Sequence, residues 1–419
     1  MNNSNLQIVR QCITQIMPQI EHLPCGKILY PWLSLSYGPL YGSAIYVWDH
    51  HHAAMRFAIS GKPDYLRFLI DNILTYQQDD GNTPSVLHVD RGPRFIEPPY
   101  HAQPFLFQGA FLYVRQTGDT AWGKSVFDKL TKYLDYYENN YSAAFGLKRW
   151  RVGWMGGLDN DVVTAFLPPD TIASSDINAW FYIELLAAQK LAKLLERSKE
   201  ADLFARRSKK HREIVNDKLW YGKMNSYSAF SLCDGSPLFS SSFGDVPSEI
   251  GQFAFQSSSN LFPLYARMAD PDSARAMIKT YVVNEKHFWS PYGIRSLSKA
   301  SEYFNNAVWG NPSRFGDHRR TNESNWQGPV WIPINYFTFH ALRHYGFTQE
   351  ARILADRTVD VLAKCIKLKL VEPFSENFNS ETGEPLYASR YASWNLLGDT
   401  LHDDLADGSW IMEPIFSET

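Results

Sequence analysis

The stretch ISGKPDYLRFLIDNILTY, residues 59–76, shows in one place how this chain is built. Its apolar residues fall on a single helical stripe, which consists of Leu66, Leu69, Ile73 and Leu74. This spacing predicts an amphipathic helix over 63–76. The preceding helix is expected to end at Gly61, and the next one begins at a capping Asp64. So short a link predicts an antiparallel helical hairpin.

The same design recurs at RQTGDTAW (115–122) and HYGFTQEA (344–351), where a helix ends near Gly and another starts at Asp or Thr. Helical periodicity predicts helices at 5–18, 45–58, 63–76, 102–117, 120–137, 176–197, 201–217, 253–268, 272–283, 330–345, 348–366 and 392–401. Convincing strands are few. With no strong linker, the pattern favours an all-α fold in which residues 1–419 form one toroid of helical hairpins. A helical bundle with an appended segment is the alternative.

Composition and charge exclude several function classes. The chain has 44% hydrophobic and 20% charged residues and a net charge of -3, so it lacks the bias of disordered chains. Nucleic acid binding needs clustered Lys and Arg, so we expect no nucleic acid partner. No apolar window approaches the length of a membrane span, and the N-terminal residues lack a secretory pattern; we therefore expect a cytoplasmic protein without a membrane partner. The four cysteines are widely spaced, which indicates neither a zinc knuckle nor a disulfide framework.

Aromatic residues make up 15% of the chain, and many lie beside Gly, Pro, Asn or Asp, as in HFWSPYG (287–293) and SNWQGPVW (324–331). The segments between the predicted hairpins are long: 24–43, 78–101, 139–175, 221–250, 284–328 and 368–391. Loops of this length in a compact fold are usually functional. Aromatic-rich loops therefore predict a ligand-binding surface.

A run of histidines in VWDHHHAAMRF (47–57) raises the question of a metal site. On a helix, successive side chains are rotated by about 100°, so His50, His51 and His52 point in different directions. They do not converge on one ion, and ordinary packing or a polar pocket role is favoured. We expect neither a metal nor a cofactor. Trp48 and Asp49, at the start of the helix, are the better functional candidates.

Two carboxylates stand out on the loops. In RWRVGWMGGLDNDV (149–162), two glycines precede Asp159, and burial beside Trp154 would raise the pKa of this carboxyl and keep it protonated. An Asx-turn or calcium-like loop is the structural alternative there. In PFSENFNSETGEPLYASRYASWN (373–395), Glu376 precedes a turn signal and a helix that starts near Ser393; an ordinary surface turn is the alternative. Together they meet the need of glycosidic cleavage for one acid and one base.

At these residues the sequence resembles glycoside hydrolase family 63, which includes processing α-glucosidases and mannosylglycerate and glucosylglycerate hydrolases. The matching pieces occur in the family's order: YVWDHHHAAMRFA (46–58), HAQPFLFQGAF (101–111), GGLDND (156–161), SSDINAWFY (174–182), FWSPYGIRSL (288–297), NWQGPVWIPINY (325–336), SENFNSETG (375–383) and ASWN (392–395). The resemblance implies an (α/α)6 barrel, an inverting mechanism and a small carbohydrate substrate. It does not indicate an oligomeric state.

The resemblance also implies residue roles. Asp159 matches the general acid and Glu376 the general base. The substrate-binding residues implied by the resemblance or by their setting are Trp48, Asp49, Gln103, Trp154, Gly157, Trp326, Gln327 and Trp331. The sequence departs from the family pattern at Gln327, where Arg is frequent, at Ser380, where Pro is usual, and after the acid, where NDVVTAF replaces a proline-arginine motif. The expected activity is hydrolysis of a short α-glucoside or α-mannoside.

Two other function classes stay open from the residues alone. A sugar epimerase or isomerase on the same toroid would work through histidine pairs drawn from His52, His88, His101 and His318. A non-catalytic sugar-binding protein would use the aromatic loops and dispense with the two carboxylates.

Overall fold

The computed structural model describes residues 3–95, 103–151, 156–168, 170–238, 255–311, 324–369 and 372–417. Trp154, His101 and His318 lie outside these residues. The described helices are α1 (Asn3–Ile20), α2 (Val47–Ile59), α3 (Asp64–Thr75), α4 (Leu106–Thr117), α5 (Thr120–Tyr141), α6 (Val162–Ala165), α7 (Ser175–Leu194), α8 (Ser198–Lys218), α9 (Phe262–Tyr265), α10 (Pro271–Met277), α11 (Ile332–His344), α12 (Thr348–Leu368), α13 (Thr400–Asp407) and α14 (Glu413–Phe416).

The helices form two concentric layers. Within the described part of the chain, the inner elements contact one another in a closed ring: α2, α4, α7, α9, α11 and the 3-10 turn Ser393–Leu397, which returns to α2. The outer layer consists of α3, α5, α8, α10, α12 and α1. Because α1 packs against α12, the first helix completes the outer layer beside the last hairpin. This is the (α/α)6 barrel that the hairpin pattern and the family resemblance predict.

Glycines end the helices at the predicted junctions. Gly61, Gly118 and Gly346 have φ values of +83°, +74° and +87°, the left-handed conformation that stops a helix without a Cβ clash. Asp119 caps α5, since its side chain accepts a hydrogen bond from the Trp122 N–H at 3.0 Å. The expected cap at Asp64 is wrong: Pro63 stands at the cap position, and Asp64 is already helical.

Short strands decorate the loops as antiparallel pairs and triplets. They are β1 (Glu21–His22), β2 (Trp32–Leu33), β3 (Ala44–Tyr46), β4 (Pro84–His88), β5 (Gly92–Phe95), β6 (Ile172–Ala173), β7 (Trp220–Tyr221), β8 (Ser226–Tyr227), β9 (Ala229–Ser231), β10 (Pro237–Leu238), β11 (Trp289–Ser290), β12 (Gly293–Ile294), β13 (Ser375–Phe378) and β14 (Pro385–Ser389). β13 and β14 form a hairpin in which Ser375 faces Ser389 and Asn377 faces Tyr387. The sequence reading did not predict these strands, because most of them are too short to show alternation.

Two predicted helices differ from the structure. The helix expected over 253–268 is described from residue 255 and contains only a 3-10 turn, Ser258–Leu261, followed by α9. The helix expected over 392–401 begins as the 3-10 turn Ser393–Leu397, and α13 starts only at Thr400. Both segments belong to the inner ring, where contacts with neighbouring elements override local helical periodicity.

One large hydrophobic core runs through both layers, from Val9 in α1 to Ile415 in α14. A smaller cluster around Val162, Val163 and Leu297 underlies the loops near α6. No described helix is long and apolar enough to cross a membrane.

Candidate active site

The start of α2 presents Trp48 and Asp49 to the inside of the ring. The Trp48 ring lies in an aromatic cluster, with centroid distances of 5.6 Å to Phe105, 5.7 Å to Trp180 and 6.3 Å to Trp394. It is 6% exposed, and its Nε1–H has no hydrogen-bond partner among the described residues. Trp48 therefore contributes an aromatic wall held by side chains from neighbouring inner elements.

Asp49 is a buried acid that forms no ion pair with a basic side chain among the described residues. The Tyr391 hydroxyl donates a hydrogen bond to Asp49 Oδ1, and the Ser393 hydroxyl donates to the Asp49 carbonyl at 3.1 Å. Burial raises the pKa of Asp49 to about 7; the bond from Tyr391 opposes that shift, and the charge of Asp159 adds to it. Asp49 therefore lies near Asp159, although α2 and the glycine loop are far apart in the chain.

The glycines before Asp159 are required by close packing. A Cβ on Gly156 would lie 2.8 Å from Trp150 Nε1, and Gly157 has φ +81°. The Gln103 amide donates to the Gly156 carbonyl. Gln103 is thus buried against the loop that presents the half-buried Asp159.

Buried polar groups hold this loop from below. Trp150 Nε1 donates to Asp176 Oδ2 at 2.9 Å. Asp161 Oδ1 accepts from the Val163 N–H at 2.8 Å and so caps α6, while its Oδ2 accepts from Ser257. Burial raises the pKa of Asp161 to about 7. The turn-forming role considered for this region therefore belongs to Asp161.

Asn160 ties the glycine loop to the tryptophan-rich segment 324–331. Its Oδ1 accepts from the Trp326 N–H at 2.6 Å, and its carbonyl accepts from Gln327 Nε2 at 2.9 Å. Trp326 stacks on Trp331 with centroids 3.7 Å apart. Trp326, Gln327 and Trp331 are each at most 2% exposed. Their contacts therefore support the loop that presents Asp159.

Glu376 comes from the opposite side, on β13. Its side chain is 5% exposed, and Oε1 accepts a hydrogen bond from Ser324 Oγ at 3.2 Å. The Trp394 Nε1–H donates to the Glu376 carbonyl at 3.4 Å. Segment 324–331 therefore contacts both predicted catalytic elements, the glycine loop through Asn160 and the base strand through Ser324.

Tyr41 is the residue on which the charges of three carboxylates act together. Burial raises the pKa of its phenol, and the charges of Glu376, Asp159 and Asp49 raise it further. The ring packs edge-on against Tyr391, with centroids 5.9 Å apart. Three acidic side chains from separate segments thus act on one hydroxyl through their charges, a setting suited to acid–base chemistry.

The three histidines of the run are buried and packed into the inner layer. Burial lowers the pKa of His50 to about 3 and that of His52 to about 4, and it lowers the pKa of His51 well below its usual range. His52 Nδ1 lies 2.8 Å from the Trp48 carbonyl, and His51 stacks on Phe105. Among the described residues, no cluster of three or more His, Cys, Asp or Glu side chains is arranged to hold a metal ion.

The sequence reading missed Tyr41, Tyr391, Ser324 and Asn160. Tyr41 lies in the long segment 24–43, and Asn160 is part of the GGLDND motif. Both stretches are candidate functional regions by sequence alone. Their individual roles depend on partners distant in the chain, for which periodicity carries no signal.

The chain is similar to known glycoside hydrolases. The family model described as "Mannosylglycerate hydrolase MGH1-like glycoside hydrolase domain" matches residues 43–394. A mannosylglycerate hydrolase of Rubrobacter radiotolerans is 23% identical over 378 residues, which cover 77% of this chain and 76% of that protein. A probable mannosyl-oligosaccharide glucosidase of Schizosaccharomyces pombe is 26% identical over 187 residues, or 44% of this chain and 20% of that protein.

Solved structures show the same fold. The family 63 mannosylglycerate hydrolase of Thermus thermophilus in complex with glucose superposes with a TM-score of 0.70 at 15% identity, covering 93% of this chain and 99% of that one. The neutral trehalase of Saccharomyces cerevisiae superposes with a TM-score of 0.61 at 13% identity, covering 91% and 76% of the two chains. Since the family model covers well over half of its length, the chain belongs to the MGH1-like glycoside hydrolases of family 63.

Proposed function

We propose that this glycoside hydrolase cleaves a short α-glucoside or α-mannoside, of the disaccharide or glycosyl-glycerate type, with inversion at the anomeric carbon. The observation that carries the proposal is that segment 324–331 bonds both to the glycine loop that presents Asp159 and to Glu376. The charges of Asp159, Glu376 and Asp49 also act together on Tyr41. Related enzymes support the substrate class, because mannosylglycerate hydrolase structures from Thermus thermophilus contain glucose or D-glycerate.

In the proposed reaction, the protonated Asp159 donates its proton to the glycosidic oxygen as the bond to the anomeric carbon breaks. Glu376 accepts a proton from the water that attacks the opposite face of that carbon. One water is consumed, and the sugar leaves as the opposite anomer. The two carboxyl groups then exchange a proton through solvent to restore the starting state.

The sugar-binding roles are assigned to the aromatic and polar wall. Trp48 and Asp49 hold the terminal sugar, with the carboxyl group of Asp49 forming hydrogen bonds to sugar hydroxyls. Gln103 and Gly157 shape the glycine loop, and Trp326, Gln327 and Trp331 form the opposite wall or support it. Trp154 completes the assignment and lies outside the described residues.

The test is a panel of α-linked disaccharides and glycosyl-glycerates with the product anomer followed by NMR. We expect the β-anomer to be the first product that appears. If the α-anomer appears first, inversion is excluded. Asp159→Asn and Glu376→Gln are expected to lower kcat/KM by about 10²–10⁴-fold. The matched controls are Asp170→Asn and Glu384→Gln, exposed acids of nearby loops, which should leave kcat/KM within about twofold of wild type.

A further inference from the structure

A partly exposed segment, residues 303–311, is attached to the candidate active site by side-chain amides. Gln327 Oε1 accepts hydrogen bonds from the Asn311 N–H at 2.8 Å and from Asn305 Nδ2 at 3.3 Å. Asn325 Nδ2 donates to Asn305 Oδ1 at 2.7 Å and to the Ala307 carbonyl at 2.8 Å. Both ends of the segment are therefore attached to buried residues next to the glycine loop.

A second attachment joins the segment to the hairpin that carries Glu376. The Ser380 N–H donates to Asn306 Oδ1 at 3.0 Å, and Asn306 Nδ2 donates to Ser380 Oγ at 2.9 Å. A proline at this position has no N–H to donate. Two of the three departures from the family pattern, Gln327 and Ser380, thus hold the same segment.

Gly310, near the end of the segment, lies beside Asn160, the residue that follows the predicted general acid. A Cβ on Gly310 would be 2.0 Å from Asn160 Nδ2 and 2.7 Å from Asn325 Oδ1, so the backbone here touches the residue that follows Asp159. A larger side chain would push the segment away. Gly310 therefore permits the close approach of the backbone beside Trp309 to Asn160, the neighbour of the predicted acid.

Trp309 is 48% exposed and is the only exposed tryptophan among the described residues. An exposed indole leaves a large apolar face in water, which is unfavourable unless a ligand covers it. The segment that carries the indole is attached on both sides of Trp309, at Asn305, Asn306 and Asn311.

We propose that Trp309 is the platform for the leaving group and that this group contains a pyranose ring, as in an α-linked disaccharide. The inference rests on the proposed function, since a general acid at Asp159 protonates the oxygen that joins the two halves of the substrate. The leaving group must then lie beside Asp159, whose neighbour Asn160 touches the backbone next to Trp309. The C–H face of a sugar ring covers an indole well, whereas glycerate has no ring to stack.

The test compares leaving groups in Trp309→Ala and Trp309→Phe. The substrates are α-glucosyl or α-mannosyl fluoride, whose leaving group has no ring, and the corresponding α-linked disaccharides and glycosyl-glycerates. We expect Trp309→Ala to lower kcat/KM for disaccharides about tenfold or more, mainly through KM. Trp309→Phe should recover most of this loss, and hydrolysis of the fluoride should stay within about twofold of wild type.

Other outcomes overturn the proposal or the proposed function separately. An equal loss on fluoride and disaccharide would indicate a structural role for Trp309, and an unchanged disaccharide rate would exclude the platform. A wild type that cleaves glycosyl-glycerates but no disaccharide would exclude the ring-bearing leaving group. If Glu376→Gln hydrolyses the fluoride as fast as wild type, the assignment of the base fails instead. Thermal melts of each variant separate loss of folding from loss of binding.

Discussion

At the scale of single residues, Asp49 is the side chain whose chemistry depends most on burial. Its carboxyl is 9% exposed, and its pKa of about 7 reflects the cost of a charge in the wall of the barrel. The hydroxyl of Tyr391 is the group that stabilises the ionised form. The ionised form of Asp49 thus reduces the stability of the fold, a cost that fits the proposed role of this residue in sugar binding.

This cost predicts a pH-dependent effect of Asp49→Asn. Unfolded Asp49 ionises near its ordinary pKa of 3.8, while the folded residue stays protonated up to about 7, so wild type loses stability as the pH rises between these values. The Asn variant does not titrate. Its free energy of unfolding relative to wild type should therefore rise by roughly 2–4 kcal/mol between pH 4 and pH 8.

Urea titrations at pH 4, 6 and 8 measure this difference, and kcat/KM should fall in the same variant. A stability difference that does not change with pH would show that Asp49 is not held protonated by burial.

At the scale of elements, a buried acid on α7 joins two inner helices. Glu184 Oε1 accepts a hydrogen bond from the Phe107 N–H at 2.6 Å, and its Oε2 accepts from the N–H and the Nε2 of Gln108 at 3.3 and 3.1 Å. These donors are at the N-terminus of α4, where backbone N–H groups lack helical partners. Phe105, at the cap position, supplies no side-chain cap, so Glu184 takes over this task.

We expect Glu184→Gln to destabilise the protein by about 2–4 kcal/mol, because the new NH2 group would face N–H donors. Denaturation in urea measures the loss. Glu213→Gln, an exposed acid on the outer helix α8, is the control and should change the free energy by at most about 0.5 kcal/mol. Equal stabilities of the two variants would contradict the capping role.

Segment 324–331 is the element that connects the glycine loop, strand β13 and segment 303–311. Gln327 fits this position because its side chain both accepts and donates. Its Oε1 accepts from the Asn311 N–H, and its Nε2 donates to the carbonyls of Asn160 and Asn311. Arginine has five N–H donors and no acceptor. The Arg that is frequent in the family at this position thus does not fit the network of this chain.

Gln327→Arg is therefore expected to destabilise the protein by at least about 3 kcal/mol and to lower kcat/KM, since it buries a charge against N–H donors. Thermal unfolding and steady-state kinetics test this. A variant with wild-type stability would show that segment 303–311 does not need Gln327.

At the scale of the whole molecule, the ring closes between residues from opposite ends of the chain. α2 packs on the turn Ser393–Leu397, and α1 packs on α12. One large core includes residues of both layers. We propose on this basis that residues 1–419 form a single domain.

A single domain predicts one cooperative unfolding transition. In differential scanning calorimetry, the calorimetric and van't Hoff enthalpies should agree when unfolding is reversible. Removal of residues 1–20, which include α1, should abolish folding of the remainder rather than leave a smaller stable domain. Two separate transitions would support the helical bundle with an appended segment.

The sequence by itself determined the features of this protein that depend on residues close together in the chain. Apolar spacing and junction glycines such as Gly61 and Gly118 predicted most helices and their hairpin order. Motifs singled out Asp159 and Glu376, whose proposed roles still await the experiments above. Short strands and the 3-10 turn at Ser393 escaped prediction, because contacts with neighbouring elements decide their conformation.

Only the tertiary structure decided which side chains meet. Tyr391 reaches Asp49 across 342 positions, and Asn160 reaches Trp326 across 166. No local pattern encodes such pairs, because they exist only once the ring of helices has closed and brought both ends of the chain to the same wall. The physical reason is that helix formation follows local spacing, whereas burial, pKa and hydrogen-bond partners are properties of the closed barrel.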